Sequence, residues 1–163
     1  SNKEVELILV GKDSGDIKTG SSSTWELMKP LFNESSLKKA HYLGAVDYSK
    51  IQDLIKEATV CVFPTFAEAL PVSWLEAMAM GKALVTSNIG WATELMIDGK
   101  TGFIENPKNH RLYAEKINTL LENKELNTTF GENAKQHITT RFSQAIIGKK
   151  NIEYFESIIN DKI

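Results

Sequence analysis

Cysteine is nearly absent: Cys61 stands alone among 163 residues. No disulfide can form within the chain, and no cysteine zinc cluster exists. Arginine is almost as scarce, with Arg111 and Arg141 set against seventeen lysines. Arginine is the usual bidentate clamp for phosphates and carboxylates, so lysines and backbone N–H groups must do that work here. His41, His110 and His137 share no metal-ligand spacing, and no metal or other cofactor is expected. No apolar run approaches the roughly 18 residues of a membrane span. The polar start, Ser1 to Glu4, shows no secretory signal. Neither sign of charge dominates: 19 basic and 21 acidic residues leave a net charge of -2, which argues against a nucleic-acid partner.

What is present is the balance of a soluble globular protein, 42% hydrophobic and 25% charged. The length suits one domain spanning residues 1–163. The chain lacks an initiator Met and starts almost inside a strand, so a piece of a longer protein is expected. Val5 to Val10 is a nearly continuous apolar run closed by Gly11, which predicts a buried strand. A Gly/Ser/Asp-rich loop follows over 11–23, then a short helix to about Phe32 capped at Ser23 or Thr24. Further strands are predicted around His41–Leu43, over Thr59–Phe63, Ala83–Thr86 and Gly102–Glu105. Helices are predicted from Asp47 to Ala58, Pro71 to Met80 and Ala92 to Ile97. The rest reads as helix over 109–122, 124–138 and 143–160. Strands alternating with helices imply an α/β fold, a Rossmann-like parallel sheet covered on both faces, with a helical carboxyl-terminal tail. In such sheets ligands sit beyond the carboxyl ends of the strands.

The densest signal runs from Phe63 to Gly102. A strand ends at Pro64, a short loop holds Glu68, and Pro71 falls where a first helical turn begins. The N–H groups of Val72 and Ser73 would then face out of the helix start, where the dipole favours a phosphate. Glu68 and Glu76 can flank one ligand, and a carboxylate accepts strongly from sugar hydroxyls. Spacing alone leaves the bland reading open, since Glu26 and Glu34 repeat the same interval. Cys61 reads as a packed strand residue. The segment Gly11-x-x-x-Gly15 lacks the Lys-Ser/Thr of a P-loop. Ser87, Asn88 and Gly90 either line a cleft or serve a turn.

The string Phe63-Pro64-Thr65, Glu68, Pro71, Glu76-Ala77-Met78-Ala79, Gly81, Gly90 with Glu94, and Asp98-Gly99-Lys100-Thr101-Gly102 resembles the donor-binding core of retaining glycosyltransferases with the GT-B architecture, family 4 or group 1. The resemblance covers nearly the whole chain. It implies one half of a GT-B fold: a nucleotide-sugar donor domain of a larger two-domain enzyme. That enzyme would move a sugar from a nucleotide donor to an acceptor with retention, in polysaccharide or glycolipid synthesis. By the resemblance Glu68 contacts the transferred sugar and is the catalytic candidate, and Glu76 binds the ribose. The segment Ala69, Leu70, Pro71 and Val72 meets sugar and diphosphate, Gly44 to Val46 borders the base, and Gly11 leaves room near the donor with Lys12 following. The family's amino-terminal acceptor domain and its Arg/Lys loop have no counterpart in this sequence, so the piece alone is expected to be inactive. A cytoplasmic location, with weak attraction of the parent to anionic lipid, is the further expectation. A GT-B sugar-nucleotide epimerase and a non-catalytic nucleotide-binding module are the alternatives. Trp91 departs from the family, where a second glycine is common. It either narrows the cleft or packs as a large apolar side chain, and packing is the favoured expectation.

Overall fold

A computed structural model describes residues 4–160. The chain divides into two compact units between Ile51 and Gln52. The fold is α/β, with parallel sheets flanked by helices and a helical carboxyl-terminal stretch.

In the first unit β1 (Leu7–Leu9) pairs in parallel with β2 (Ala40–Tyr42), Leu7 opposite Ala40 and Leu9 opposite Tyr42. Between them lie α1 (Thr24–Met28), a 3-10 turn (Lys29–Leu31) and α2 (Glu34–Leu37). Ser23 caps α1 by accepting from the Glu26 N–H, and Asn33 caps α2 by accepting from Ser36. The short α2 is not predicted from the sequence; Asn33 at its cap and Glu34 in its first turn are its signals. The predicted burial of β1 is corrected. Leu7 is 39% and Ile8 44% exposed and Leu9 is half-buried, so no residue of the strand is buried.

Helix α3 (Tyr48–Glu57) carries the boundary between the units. The second unit holds β3 (Cys61–Phe63), α4 (Val72–Ala79), β4 (Leu84–Ser87), α5 (Ala92–Leu95) and β5 (Gly102–Glu105). Three helices follow: α6 (His110–Glu122), α7 (Lys124–Phe142) and α8 (Gln144–Asn160). The sheet order is β3-β4-β5, all parallel. The central strand β4 is buried throughout, and its alternation builds a core on each face. Leu84 joins Trp74, Ala77, Met78, Leu95 and Ala134 on one side. Val85 joins Ala83, Tyr113, Leu120 and Phe130 on the other.

Two close approaches fix the helices. Gly131 of α7 lies against the backbone of the turn after α4, where any Cβ would drive into the Gly81 carbonyl oxygen. Lys82 donates to the carbonyls of Lys56 and Ala58, the latter at 2.9 Å, and so closes the end of α3. The tail helix α8 forms where predicted, but none of its residues is buried: Ile152, Phe155 and Ile159 are each more than half exposed.

Candidate functional site

The sheet of the second unit brings its loops out along one edge. Because β3, β4 and β5 run parallel, Phe63, Ser87 and Glu105 all end on the same side. Ser87 Oγ donates to the Phe63 carbonyl at 3.2 Å, and the Asn88 N–H donates to the Glu105 carbonyl at 3.0 Å. These bonds hold the three loop origins together. Residues 64–71 leave β3 as a short loop in which Glu68, Ala69 and Leu70 are exposed.

The start of α4 differs from expectation. Pro71 is the N-cap rather than the first helical residue, with φ -77° and ψ 86°, close to an inverse γ-turn. The Val72 N–H is accordingly taken by the Leu70 carbonyl at 2.9 Å, and the Trp74 N–H by the Pro71 carbonyl at 3.0 Å. The expected anion site at Val72 and Ser73 therefore keeps only the Ser73 N–H. The tight turn consumes the other donor. Pro71 itself is buried, while the Val72 side chain is 56% exposed.

Glu76 lies on the second turn of α4 and is half-buried; Glu68 is exposed. Neither sits in the core. Two enclosed side-chain atoms next to this loop, Thr65 Oγ1 and Trp74 Nε1, lack a hydrogen-bond partner. Such orphans are uncommon in folded proteins, and sequence reading gave no sign of them.

Gly90 brings the β4 loop to Glu68. It takes φ +41°, a conformation glycine tolerates best, and a Cβ there would lie 3.7 Å from the Glu68 carbonyl oxygen. The packing expected of Trp91 is corrected: it is the N-cap residue of α5 and is 51% exposed. The buried residues of that short helix are Ala92 and Leu95.

The string Asp98 to Gly102 is turn chemistry. Asp98 Oδ1 accepts from the Ile104 N–H at 2.9 Å, and buried Thr101 Oγ1 accepts from the Ile97 N–H at 2.8 Å. Gly102 has no room for a side chain, since a Cβ would sit 2.6 Å from the Leu84 carbonyl oxygen.

Gly11, Lys12, Gly44 and Val46 belong to the first unit. The structure joins Gly11 to Gly44 through an N–H···O bond of 3.0 Å, and the Tyr42 hydroxyl donates to the Gly11 carbonyl at 2.8 Å. Lys12 and Gly11 line a shallow cavity of about 230 Å³ with Asp13, Trp25 and Tyr42; Val46 is not among its walls. Asp13, which sequence reading passed over, anchors this loop. It accepts from the Ser23 hydroxyl and from the N–H groups of Ser14, Thr24 and Trp25. The Ser23 hydroxyl above all, then those N–H groups, hold its carboxyl below the usual value. An Asp shortly before a Ser-rich helix start is the signal that could have found it.

Cys61 is buried, as expected, and burial pushes its thiol up to about 11. Among the described residues no cluster of His, Cys, Asp and Glu could hold a metal ion, and no helix is long and apolar enough to cross a membrane.

The chain as a whole is similar to known proteins. A family model described as "Glycosyl transferases group 1" matches residues 1–137. A Campylobacter jejuni N,N'-diacetylbacillosaminyl-diphospho-undecaprenol alpha-1,3-N-acetylgalactosaminyltransferase is 33% identical over 121 residues, 74% of this chain and 31% of that protein. The Staphylococcus aureus capsular polysaccharide biosynthesis glycosyltransferase CapM is 34% identical over 139 residues, 80% of this chain and 36% of that protein. Among solved structures, Anabaena Alr3699/HepE in complex with UDP superposes with a TM-score of 0.81 at 26% identity, covering 94% of this chain and 41% of that one. The chain spans about a third of the length of the curated relatives it matches.

Proposed function

This chain belongs to the group 1 glycosyl transferases, and on that premise we propose that it is the nucleotide-sugar donor domain of a larger two-domain enzyme. The enzyme transfers a sugar to an acceptor with retention of configuration, in the cytoplasm, for polysaccharide or glycolipid synthesis. The observation that carries the reading is the pair Glu68 and Glu76 at the carboxyl edge of a parallel sheet, one exposed in the β3 loop and one half-buried on α4. Support comes from the Anabaena protein, solved with UDP and with UDP-glucose and similar over 94% of this chain, and from the capsular polysaccharide role in the name of the S. aureus relative.

In this reading Glu76 binds the ribose and Glu68 the hydroxyls of the transferred sugar. Ala69, Leu70, Pro71 and Val72 border sugar and diphosphate. Departure of the diphosphate requires charge stabilisation, for which α4 offers its dipole and the Ser73 N–H. Gly11 and Lys12 serve the diphosphate end of the donor, and Gly44 to Val46 the base. Binding needs no metal ion. The acceptor half lies in the rest of the enzyme, so the isolated chain binds donor weakly, with dissociation constants on the order of 0.1–1 mM, and turns over negligibly.

Calorimetric titration with UDP, GDP and ADP, each with and without glucose attached, tests this. Glu76→Gln is expected to weaken the bare nucleotide. Glu68→Gln is expected to spare it and weaken only the sugar nucleotide. Loss of a charged hydrogen bond costs about 1.5–3 kcal/mol, hence tenfold or more. Unchanged nucleotide binding by folded Glu76→Gln overturns the assignment.

A further inference from the structure

The chain has three tryptophans, and the structure treats them differently. Trp74 is 1% exposed and its ring lies 6.1 Å from that of Phe63. Trp25 is half-buried between Phe32 and Tyr42, at 6.2 and 5.3 Å. Trp91 is 51% exposed and has no ring partner among the described residues. It follows Gly90 in the chain, where the backbone comes close enough to the Glu68 carbonyl that a Cβ on Gly90 would lie 3.7 Å from its oxygen. The β3 loop and helix start add three open apolar side chains, Phe66 at 65%, Leu70 at 54% and Val72 at 56% exposure. Scattered apolar residues on a surface mean little. Here they stand on two loops at the carboxyl edge of a parallel sheet, loops whose backbones approach at Gly90 and Glu68, and the β3 loop also carries the exposed Glu68. Apolar walls with a few placed polar groups are the make-up of a small-molecule site.

A pyranose ring offers two kinds of surface. Its rim carries hydroxyls, which a carboxylate accepts from. Its faces carry C–H groups, which suit the electron-rich face of an indole. We propose that Trp91 is a specificity-determining residue of the donor site: its indole covers one face of the transferred sugar while Glu68 takes the hydroxyls. The inference rests on the donor-domain reading above.

The test uses the whole chain, with UDP and UDP-glucose as probes, and the GDP and ADP pairs should another base be preferred. Affinities are measured by calorimetry for the parent, Trp91→Ala and Trp91→Phe. Acrylamide quenching of tryptophan fluorescence, which falls chiefly on the exposed Trp91, is measured with each ligand. Trp91→Ala is expected to bind UDP as the parent does and UDP-glucose about threefold to tenfold more weakly. Trp91→Phe retains most of the affinity. UDP-glucose shields the parent's fluorescence and UDP does not. Equal binding of UDP-glucose by parent and Trp91→Ala overturns the proposal, as does an equal loss of both ligands or shielding by UDP alone. If Trp91→Ala fails a thermal melt, Trp91→Phe and the parent's quenching decide. A parent that binds UDP-glucose regardless of Trp91 refutes this inference alone. A parent that binds none of the nucleotides or their glucose conjugates refutes the donor domain and this inference with it.

Discussion

Residues 4–51 and residues 52–160 are made of the same parts, parallel strands alternating with helices, yet their order has different sources. Among the described residues every buried hydrophobic side chain falls between Cys61 and Ile138. The second unit is a packed α/β layer in which β4 is covered on both faces. The first unit has, among its described residues, one aromatic contact group, Trp25 with Phe32 and Tyr42, and is otherwise organised by polar groups. Asp13 gathers the chain from Ser14 to Trp25, the Asp16 carboxylate accepts from the Thr19 N–H and hydroxyl, and Ser23 and Asn33 cap short helices. Hydrogen bonds exchanged with water contribute modestly, whereas apolar burial drives folding. The proposed roles of Gly11, Lys12, Gly44 and Val46 therefore rest on a unit without a buried apolar side chain among the described residues, and those of Glu68 and Glu76 on one with two buried clusters. Loops that carry function are commonly set on a rigid scaffold, and the β3 and β4 loops have one.

The largest effect that separates the units is truncation at matched chemistry. Leu84→Ala removes a fully buried side chain from β4 and is expected to cost about 2–5 kcal/mol. Leu7→Ala removes the same atoms from β1, where Leu7 is 39% exposed, and is expected to cost less than about 1 kcal/mol. Urea titration of both variants measures the difference. Equal losses would dissolve the contrast and give β1 a covered face.

Thiol chemistry reads the same contrast as a rate. With its thiol pushed up to about 11 by burial, Cys61 holds little thiolate at pH 8. Alkylation of the native chain is expected to run about a hundredfold or more below that of the urea-unfolded chain. A cysteine placed by Ile8→Cys, on the open strand β1, is expected to react nearly as fast as in the unfolded state. Slow reaction at position 8 would show that β1 is shielded in solution.

The second unit was the more legible in sequence, and for a physical reason. Its strand and helix starts coincide with apolar runs and glycines that the packed structure requires: Gly81 after α4, Gly102 against Leu84, β5 over the same four residues that were predicted. The Glu68–Glu76 string stood out by residue order, and its placement on a loop and a helix turn followed from Pro64 and Pro71. Less legible were features set by what lies nearby in space. The apolar run of β1 looked like core because sequence does not count a strand's neighbours. Trp91 was expected to pack because indole usually does. The Val72 N–H looked available because a helix start was assumed where the chain makes a tight turn at Pro71. Asp13 was missed because its partners lie at Ser14 and across the loop at Ser23 to Trp25.

The smallest effect concerns pH, and here the units should part company by window. His137 on α7 is held below its ordinary value of 6.5, first by burial, then by the Arg141 guanidinium, whose Nη1 lies 3.3 Å from Nε2, and by Lys100; a backbone hydrogen bond at Leu95 opposes them. As pH falls below 6.5 the unfolded chain takes up a proton that the folded chain still refuses. Stability therefore favours higher pH, is full above 6.5, and declines as acid approaches the depressed folded value. Asp13 in the first unit is also depressed, but from 3.8, so its contribution persists above 3.8 and fades only as pH falls below it. Between pH 7 and 5 the second unit should weaken while the Asp13 anchor is unaffected. Thermal melts at pH 7, 6 and 5 are expected to show a decline of no more than a few degrees. His137→Gln should flatten that slope, because glutamine has no proton to gain. Asp13→Asn should shift the melts without changing the slope in that window. A slope that survives in His137→Gln would move the acid sensitivity to another group. A slope that vanishes in Asp13→Asn would place it in the first unit and reverse the comparison.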